Sequence, residues 1–311
     1  MRTRIPPGDI PRRGARRLVL LVAAGLTLAG CHPGSEEAKR LRAACEAGDA
    51  AACNQFATRL QKGQHVLRDE ARAGSLYGRA CEAGVGEACA SLGVMHQRGG
   101  GVARDSARAA RLFEQGCGRG AMDGCARLGV LHLEGAGVAR DLPRAAALFQ
   151  RACDGGQSLG CAHLGALHAS GEGVGRDVAR AAELFDRSCG AKEALGCLGL
   201  ARLHAAGTGV ARNDSTAAAL FEQACEGGET DGCVHLAAVY EAGRGVTPNF
   251  QRAASLYREA CEDRNGEACF RLANLHEKGA GVYRDPQQAA ALMQDACRLG
   301  YAAACPPPGR S

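Results

Sequence analysis

Seventeen cysteines and nine histidines are the residues of this 311-residue chain best equipped for chemistry. Sixteen of the cysteines fall into eight pairs: Cys45/Cys53, Cys81/Cys89, Cys117/Cys125, Cys153/Cys161, Cys189/Cys197, Cys225/Cys233, Cys261/Cys269 and Cys297/Cys305. Partners lie eight residues apart, and successive pairs recur every 36 residues without an insertion or deletion. None has the C-x-x-C spacing of a redox motif, so the pairs read as structural bridges. Eight residues along one continuous helix rise roughly 12 Å, whereas bridged Cα atoms sit about 4.4–6.8 Å apart. A bridge within a pair therefore requires the chain to turn back between its cysteines. Gly48, Gly84, Gly120, Gly156, Gly228 and Gly300 provide breakers there. Each bridge then staples the end of one hairpin's second helix to the start of the next hairpin's first helix. Closing such a loop of about nine residues contributes roughly 2.5 kcal/mol in the chain-entropy model.

The histidines offer less. His96, His132, His168, His204 and His276 recur at one position of the repeat, where a further copy has Tyr240. Neighbouring copies should sit roughly 10 Å apart, one helix-packing distance. That is too far to share an ion bound at about 2 Å. Each follows a core leucine by four residues and so shares its face, as a packed ring would. H-E-x-x-H is absent, and His276-Glu277 lacks its second histidine. We assign no metal, cofactor or catalytic residue.

The N-terminus sets the compartment. Arg12, Arg13, Arg16 and Arg17 precede an apolar run of 11 residues, Leu18 to Leu28. The run is too short for a transmembrane helix, which needs about 20 residues, and fits an export signal. Leu28-Ala29-Gly30-Cys31 resembles the bacterial lipobox, which implies that Cys31 is lipidated and becomes the new N-terminus. His32, rather than Asp, follows it; by resemblance to lipoprotein sorting this favours the outer membrane, facing the periplasm. Residues 1–30 carry six Arg and one Asp, which is the whole of the chain's formal +5 and leaves the mature part at zero. No basic run survives to release counterions from phosphates, so nucleic acid is not an expected partner. An exported chain of this kind forms disulfides; Cys31 takes the lipid and the other sixteen pair.

A fixed 36-residue period means a solenoid. In one unit, the first helix reads from Cys125 to Glu134, with leucines at helical spacing, and ends at Gly135. Asp141 then stands at the cap of a second helix that runs to Cys153. The cap position holds Asp69, Asp105, Asp141, Asp177, Asn213, Asn249 and Asp285, the side chains suited to a helix's free N–H groups. Leu112, Leu148, Leu184, Leu220, Leu256 and Leu292 form a core stripe beside Phe113, Phe149, Phe185 and Phe221. With no Trp and 4% aromatics, the core is alanine and leucine. The division is a signal at 1–30, then the lipidated N-terminus, a capping helix and the first cysteine loop at 31–52. Seven repeats occupy 53–305, and a proline-rich tail 306–311.

The pattern Leu-Gly-x-x-His/Tyr-x-x-Gly-x-Gly-Val-x-x-Asp…Ala-Ala-x-Leu-Phe/Tyr resembles the Sel1-like repeat, a relative of the tetratricopeptide repeat. With a C-x7-C pair in each unit, residues 45–305 resemble the Helicobacter cysteine-rich protein family. The resemblance implies an all-α, right-handed superhelix of helical hairpins with one disulfide per repeat and a concave inner surface. It also implies export, and a penicillin-binding or β-lactamase label carried by some members. A serine β-lactamase needs S-x-x-K. No serine here has a lysine three residues on, and S-D-N and K-T-G are absent.

A binding surface is the better expectation. Residues two, five and nine after each second cysteine share one face of the first helix, and there the copies differ. Arg127, His163, Arg202, His235, Arg271 and Asn274 are the candidate binding residues. The arginines suit carboxylates of a peptide, and the scarcity of aromatics argues against sugar stacking. The chain thus reads as an envelope scaffold that binds a peptide or protein segment in its groove and meets the membrane only through its lipid.

Overall fold

The computed structural model describes residues 33–305; the segment read as an export signal, Cys31, His32 and the tail lie outside them. The described chain is helical, with no strand. Helix α1 (Pro33–Glu46) is followed by seven hairpins. The first four are α2 (Ala50–Lys62) with α3 (Glu70–Glu82), α4 (Gly86–Arg98) with α5 (Ser106–Gly118), α6 (Met122–Glu134) with α7 (Leu142–Asp154), and α8 (Ser158–Ser170) with α9 (Val178–Gly190). The last three are α10 (Ala194–Ala206) with α11 (Asp214–Glu226), α12 (Thr230–Ala242) with α13 (Phe250–Glu262), and α14 (Gly266–Lys278) with α15 (Pro286–Arg298). A short 3-10 turn, Ala302–Ala304, stands where an eighth first helix would begin.

All eight C-x7-C pairs are closed. The bridges are Cys45–Cys53, Cys81–Cys89, Cys117–Cys125, Cys153–Cys161, Cys189–Cys197, Cys225–Cys233, Cys261–Cys269 and Cys297–Cys305, with Cα–Cα distances of 4.5–4.8 Å. This is the one bridge per repeat expected from the spacing, joining the end of one helix to the start of the next hairpin. One expectation is corrected. From the sequence each first helix is expected to begin at its second cysteine; in the structure it begins three residues earlier. Cys53, Cys89, Cys125, Cys161, Cys197, Cys233 and Cys269 therefore stand at the fourth helical position, each 0–6% exposed. The reason is the tightness of the turn. A single left-handed residue reverses the chain, as at Gly48 (φ 102°) and Gly84 (φ 98°), and the helix resumes two residues on. By the cysteine the ladder is already running: the N–H groups of Cys53, Cys89, Cys197 and Cys269 donate to the carbonyls of Asp49, Val85, Glu193 and Asn265, at 3.0–3.3 Å. Two of these turns use a non-glycine residue, Lys192 at φ 63° and Arg264 at φ 67°. Cys305 differs from the other second cysteines, since only the 3-10 turn precedes it and no helix follows among the described residues.

The second helices start as their caps dictate. Asp69, Asp105, Asp141, Asp177, Asn213, Asn249 and Asp285 each accept from the backbone N–H three residues on, at 2.8–3.0 Å. Each such bond is worth about 1 kcal/mol. The first helices differ: only Asp49 and Asn265 cap theirs with a side chain, and the other five have no such bond. In those five, the bridge through Cys89, Cys125, Cys161, Cys197 or Cys233 pins the first turn instead.

The turn inside each hairpin fixes the stacking. At Gly137, φ 74°, a Cβ would lie 2.4 Å from the carbonyl carbon of Ser106, so the turn sits on the N-terminus of the preceding hairpin's second helix. The recurrent histidines close the same turns: Nδ1 of His96, His132, His168, His204 and His276 donates to a backbone carbonyl seven residues on, at 2.9–3.3 Å. A carbonyl only accepts, so Nδ1 carries the proton. Packed rings were expected; His96 and His132 are buried and the others half-buried.

Between helices, Ala73, Ala109, Ala145, Ala181, Ala217 and Ala253 are 0–1% exposed, and such small side chains permit close approach. Behind them Arg79, Arg119, Arg151 and Arg187 donate to the carbonyls of Cys45, Cys81, Cys117 and Cys153 in the preceding unit. Those cations sit at helix C-termini, where the dipole favours them. Neighbouring first helices touch directly, α4 with α6, α6 with α8 and α8 with α10, and no pair of second helices packs as closely. The array therefore bends toward its first helices, which line the inner side.

Candidate functional site

On that inner side the residue two after the second cysteine of first helices α4 to α14 is matched by an aromatic residue fourteen earlier on the preceding second helix, and in α8 and α12 the two rings stack. The His163 ring stacks on Phe149 with centroids 4.8 Å apart and planes at 18°. The His235 ring stacks on Phe221 at 4.9 Å and 27°. Between them stands Gly199, where a Cβ would lie 2.4 Å from the Phe185 ring, so that ring itself fills the position. Near the N-terminal end the ring is a tyrosine: the Tyr77 hydroxyl lies 2.9 Å from Thr58 Oγ1 and donates to Gln61 at 3.1 Å. Near the C-terminal end the Tyr257 hydroxyl donates to Glu241 at 3.1 Å, and burial followed by the Glu241 charge pushes its ionisation up.

The candidate residues separate into distinct settings. Arg127 is half-buried and donates to Asp123, one turn back, at 2.7 Å. Arg271 is exposed and makes the same pairing with Glu267 at 3.1 Å. Asn274 is half-buried on the same face. Burial holds the His163 imidazole down at about 4, so it is neutral at physiological pH. Arg202 and His235 are brought together across neighbouring hairpins. Arg202 donates from Nε to His235 Nε2 at 3.2 Å and from Nη2 to Asp231 at 3.2 Å. Since Nε2 accepts, His235 is neutral with its proton on Nδ1. Its pKa is lowered first by burial and then by Arg202, against the opposing charges of Asp231 and Glu267.

Arg202 and His235 open onto a pocket of about 300 Å³ that also takes in Arg244, Asp214, Phe221 and Val239. Asp214, Asp231 and Arg244 were not among the residues singled out from the sequence. One signal was available: Asp or Glu two residues before the second cysteine, at Glu87, Asp123, Asp231 and Glu267, is the i,i+4 partner of an arginine in two repeats. A larger cavity, about 800 Å³, lies at the C-terminal end among Phe270, Met293, Cys297 and Ala304, and none of the candidate residues lines it. It lies beside the 3-10 turn Ala302–Ala304. Among the described residues no group of three or more His, Cys, Asp or Glu side chains is gathered to hold a metal ion.

Residues 50–301 match seven copies of a single family model, the Sel1 repeat, at 50–85, 86–120, 123–157, 158–191, 194–229, 230–265 and 266–301. The chain belongs to the Sel1-repeat family. Among solved structures it is similar to a protective antigen of uropathogenic Escherichia coli strains that displays an SLR fold. The identity there is 30%, over 86% of this chain and 57% of that one, with a TM-score of 0.64. It is similar also to a Sel1 repeat protein from Oxalobacter formigenes, at 23% identity over 86% of this chain and 78% of that one, TM-score 0.63. Helicobacter pylori cysteine rich protein B aligns at 29% identity over 42% of this chain and 93% of its own, with a TM-score of 0.35. The chain spans little more than half the length of the E. coli antigen. No curated protein matches it. Sel1 repeats form a scaffold typical of protein–protein interaction, and eight closed disulfides place such a scaffold in an oxidising compartment outside the cytoplasm. Among the described residues no helix is long and apolar enough to cross a membrane.

Proposed function

We propose that this Sel1-repeat protein is a lipid-anchored envelope scaffold whose inner face binds an extended peptide or a segment of a partner protein. The observation that carries this reading is the ladder of differing polar side chains seated over buried aromatics, on units otherwise copied. His163 and His235 on their phenylalanines, and Arg127, Arg202 and Arg271 beside acidic neighbours, give the face polar groups over an apolar floor. That combination recurs where proteins read a peptide. Anchoring through Cys31 and an outer-membrane location rest on the lipobox resemblance. Cys31→Ala should release the protein from the membrane or leave its signal uncut; normally processed, membrane-bound Cys31→Ala protein would defeat the anchor.

The test of the scaffold is photo-crosslinking in the native envelope. A photoreactive residue at Ala166 or Ala238, on the inner helices, should capture a discrete partner. The same residue at the exposed Ala147 or Ala219 of the second helices should not. Equal labelling from both sets would show that the inner face is not the binding surface.

A further inference from the structure

We propose that the pocket between α10, α11 and α12 is a subsite for a carboxylate borne on a small apolar residue, held between Arg202 and Arg244 over Phe221. The inference rests on the peptide-binding reading and names the chemistry one part of the groove takes. Arg202, Arg244 and Asp214 line the pocket, and Asp231 and Arg212 pair with the first and the last of them from outside it. Arg212 occupies both oxygens of Asp214, at 3.1 and 3.0 Å. Arg244 lines the same pocket and has no ion-pair partner among the described residues. Arg202 spends Nε on His235 and Nη2 on Asp231, which leaves Nη1 uncommitted. The charged side chains that line the pocket itself, Arg202, Arg244 and Asp214, therefore carry one positive charge in excess beside an apolar floor of Phe221, Ala217 and Val239. One excess charge suits a monoanion. A phosphate dianion would meet the two aspartates, and an uncharged group would leave Arg244 without an ion pair. The floor then accounts for a short aliphatic side chain next to the carboxylate.

His235 gives the site a second signature. The charged groups that act on it are Arg202 on α10, Asp231 on its own helix, Glu267 on α14 and Arg244 in the following turn. A carboxylate arriving beside the ring favours its protonated form. Protonation ends the ring's acceptance from Arg202 and frees that Nε–H for the ligand. Binding should therefore tighten as pH falls below about 6.5, the ordinary value from which the free ring is lowered, for as long as the carboxylate stays ionised.

The experiment is an NMR titration of the oxidised protein, followed at the arginine Nε–H and histidine ring signals. N-acetyl-valine should shift the Arg202, Arg244 and His235 signals to saturation, and N-acetyl-valinamide should bind at least about tenfold more weakly, the loss of a charge-assisted pairing. Arg244→Gln, an exposed change, should weaken N-acetyl-valine about tenfold with an unaltered helical spectrum, and His235→Gln should flatten the pH dependence. Equal binding of the amide would show an apolar pocket and overturn the proposal. Inorganic phosphate binding as tightly as N-acetyl-valine would show a general anion site and overturn it too, as would no shift with any ligand. The two readings fail separately: inner-face crosslinks with a silent titration leave the scaffold standing, and a saturable titration without crosslinks leaves the pocket without a peptide partner.

Discussion

His163 and His235 hold the same place in units 72 residues apart, and each lies on a buried phenylalanine. Around His163 the corresponding positions are Val130, Leu142, Leu159 and Glu172; around His235 they are Arg202, Asp214, Asp231 and Arg244. The backbone frame is shared, so the contrast comes from four side chains. Val130, Leu142 and Leu159 turn the first histidine into part of the wall, held neutral by burial at about 4, while Glu172, the charged one of the four, pairs with Arg140 at 3.8 Å. Charged neighbours turn the second into a hydrogen-bond acceptor at the edge of a pocket. The repeat thus supplies a socket, and its use is set by residues five after one second cysteine, two before the next, at the start of one hairpin's second helix and in the turn inside the next hairpin.

The largest difference should appear when the rings beneath are removed. Phe149 is 0% exposed and Phe221 is 3% exposed and already borders a pocket. Phe149→Ala should cost about 3–5 kcal/mol, because the site around it cannot readily collapse. Phe221→Ala should fall at or below the lower end, since part of its surroundings is open. Thermal unfolding of the two variants checks the order, and equal losses would mean the two sockets are packed alike.

Acid should separate the two histidines next. The folded-state pKa of His163 lies below its unfolded value of 6.5. Its contribution is therefore complete above about 6.5 and is lost as pH falls toward about 4, by roughly 3 kcal/mol at the end of that window. His163→Leu should remove that acid sensitivity, measured as the slope of stability between about pH 6.5 and 4. His235→Leu should change the slope less, because Asp231 and Glu267 partly offset the burial of that ring.

The bridges beneath the two sockets give a finer contrast. Removing either pair, Cys153 with Cys161 or Cys225 with Cys233, should cost roughly 2.5 kcal/mol, as the loops are equal in length. Their access to reductant differs. Cys153 and Cys161 are 0% and 1% exposed, and Arg187 donates to the Cys153 carbonyl at 2.6 Å. Cys225 is half-buried, and the position matching Arg187 is Glu259. Limiting reductant with alkylation and mass spectrometry should label the Cys225–Cys233 pair first. Simultaneous labelling would show that the pairs open together with the fold.

Much of this architecture was legible. The cysteine spacing implied the period and the turn between helices, and the Asp/Asn positions marked the starts of the second helices. The starts of the first helices were read one turn late, because most of them carry no capping side chain to mark the boundary. The inner-face register followed from counting on from the cysteines. The pocket did not. Arg202 stands out by its type, but its partner Asp231 and the Arg244 that shares its pocket sit 29 and 42 residues on. Only the stacking of hairpins shows which copies of a register share one desolvated volume. The bonds of the recurrent histidines to their turns, and of the second-helix arginines to the cysteine carbonyls, were hidden for a related reason. They end on backbone atoms, which every residue type provides.

The smallest expected effect on stability falls on the residue with the most to do at the pocket. Arg202 is about half exposed, and its pairing with Asp231 is a surface ion pair. Such pairs contribute about 0–1 kcal/mol, so Arg202→Gln should leave the melting temperature close to that of the parent. The proton affinity of His235 should nevertheless move. The guanidinium lowers the imidazole pKa by its charge and by occupying Nε2. Glutamine removes the charge, and its amide can donate to Nε2 only without it. Burial still holds the ring down, while Asp231 and Glu267 now act unopposed by Arg202, so the His235 titration should shift upward toward the ordinary histidine range. A ring-proton titration reads this directly, and His163 in the same spectrum is the internal control, since no arginine contributes to its depression. An unchanged His235 midpoint would mean that burial alone sets it, and that the charged and apolar sockets differ less than their side chains suggest.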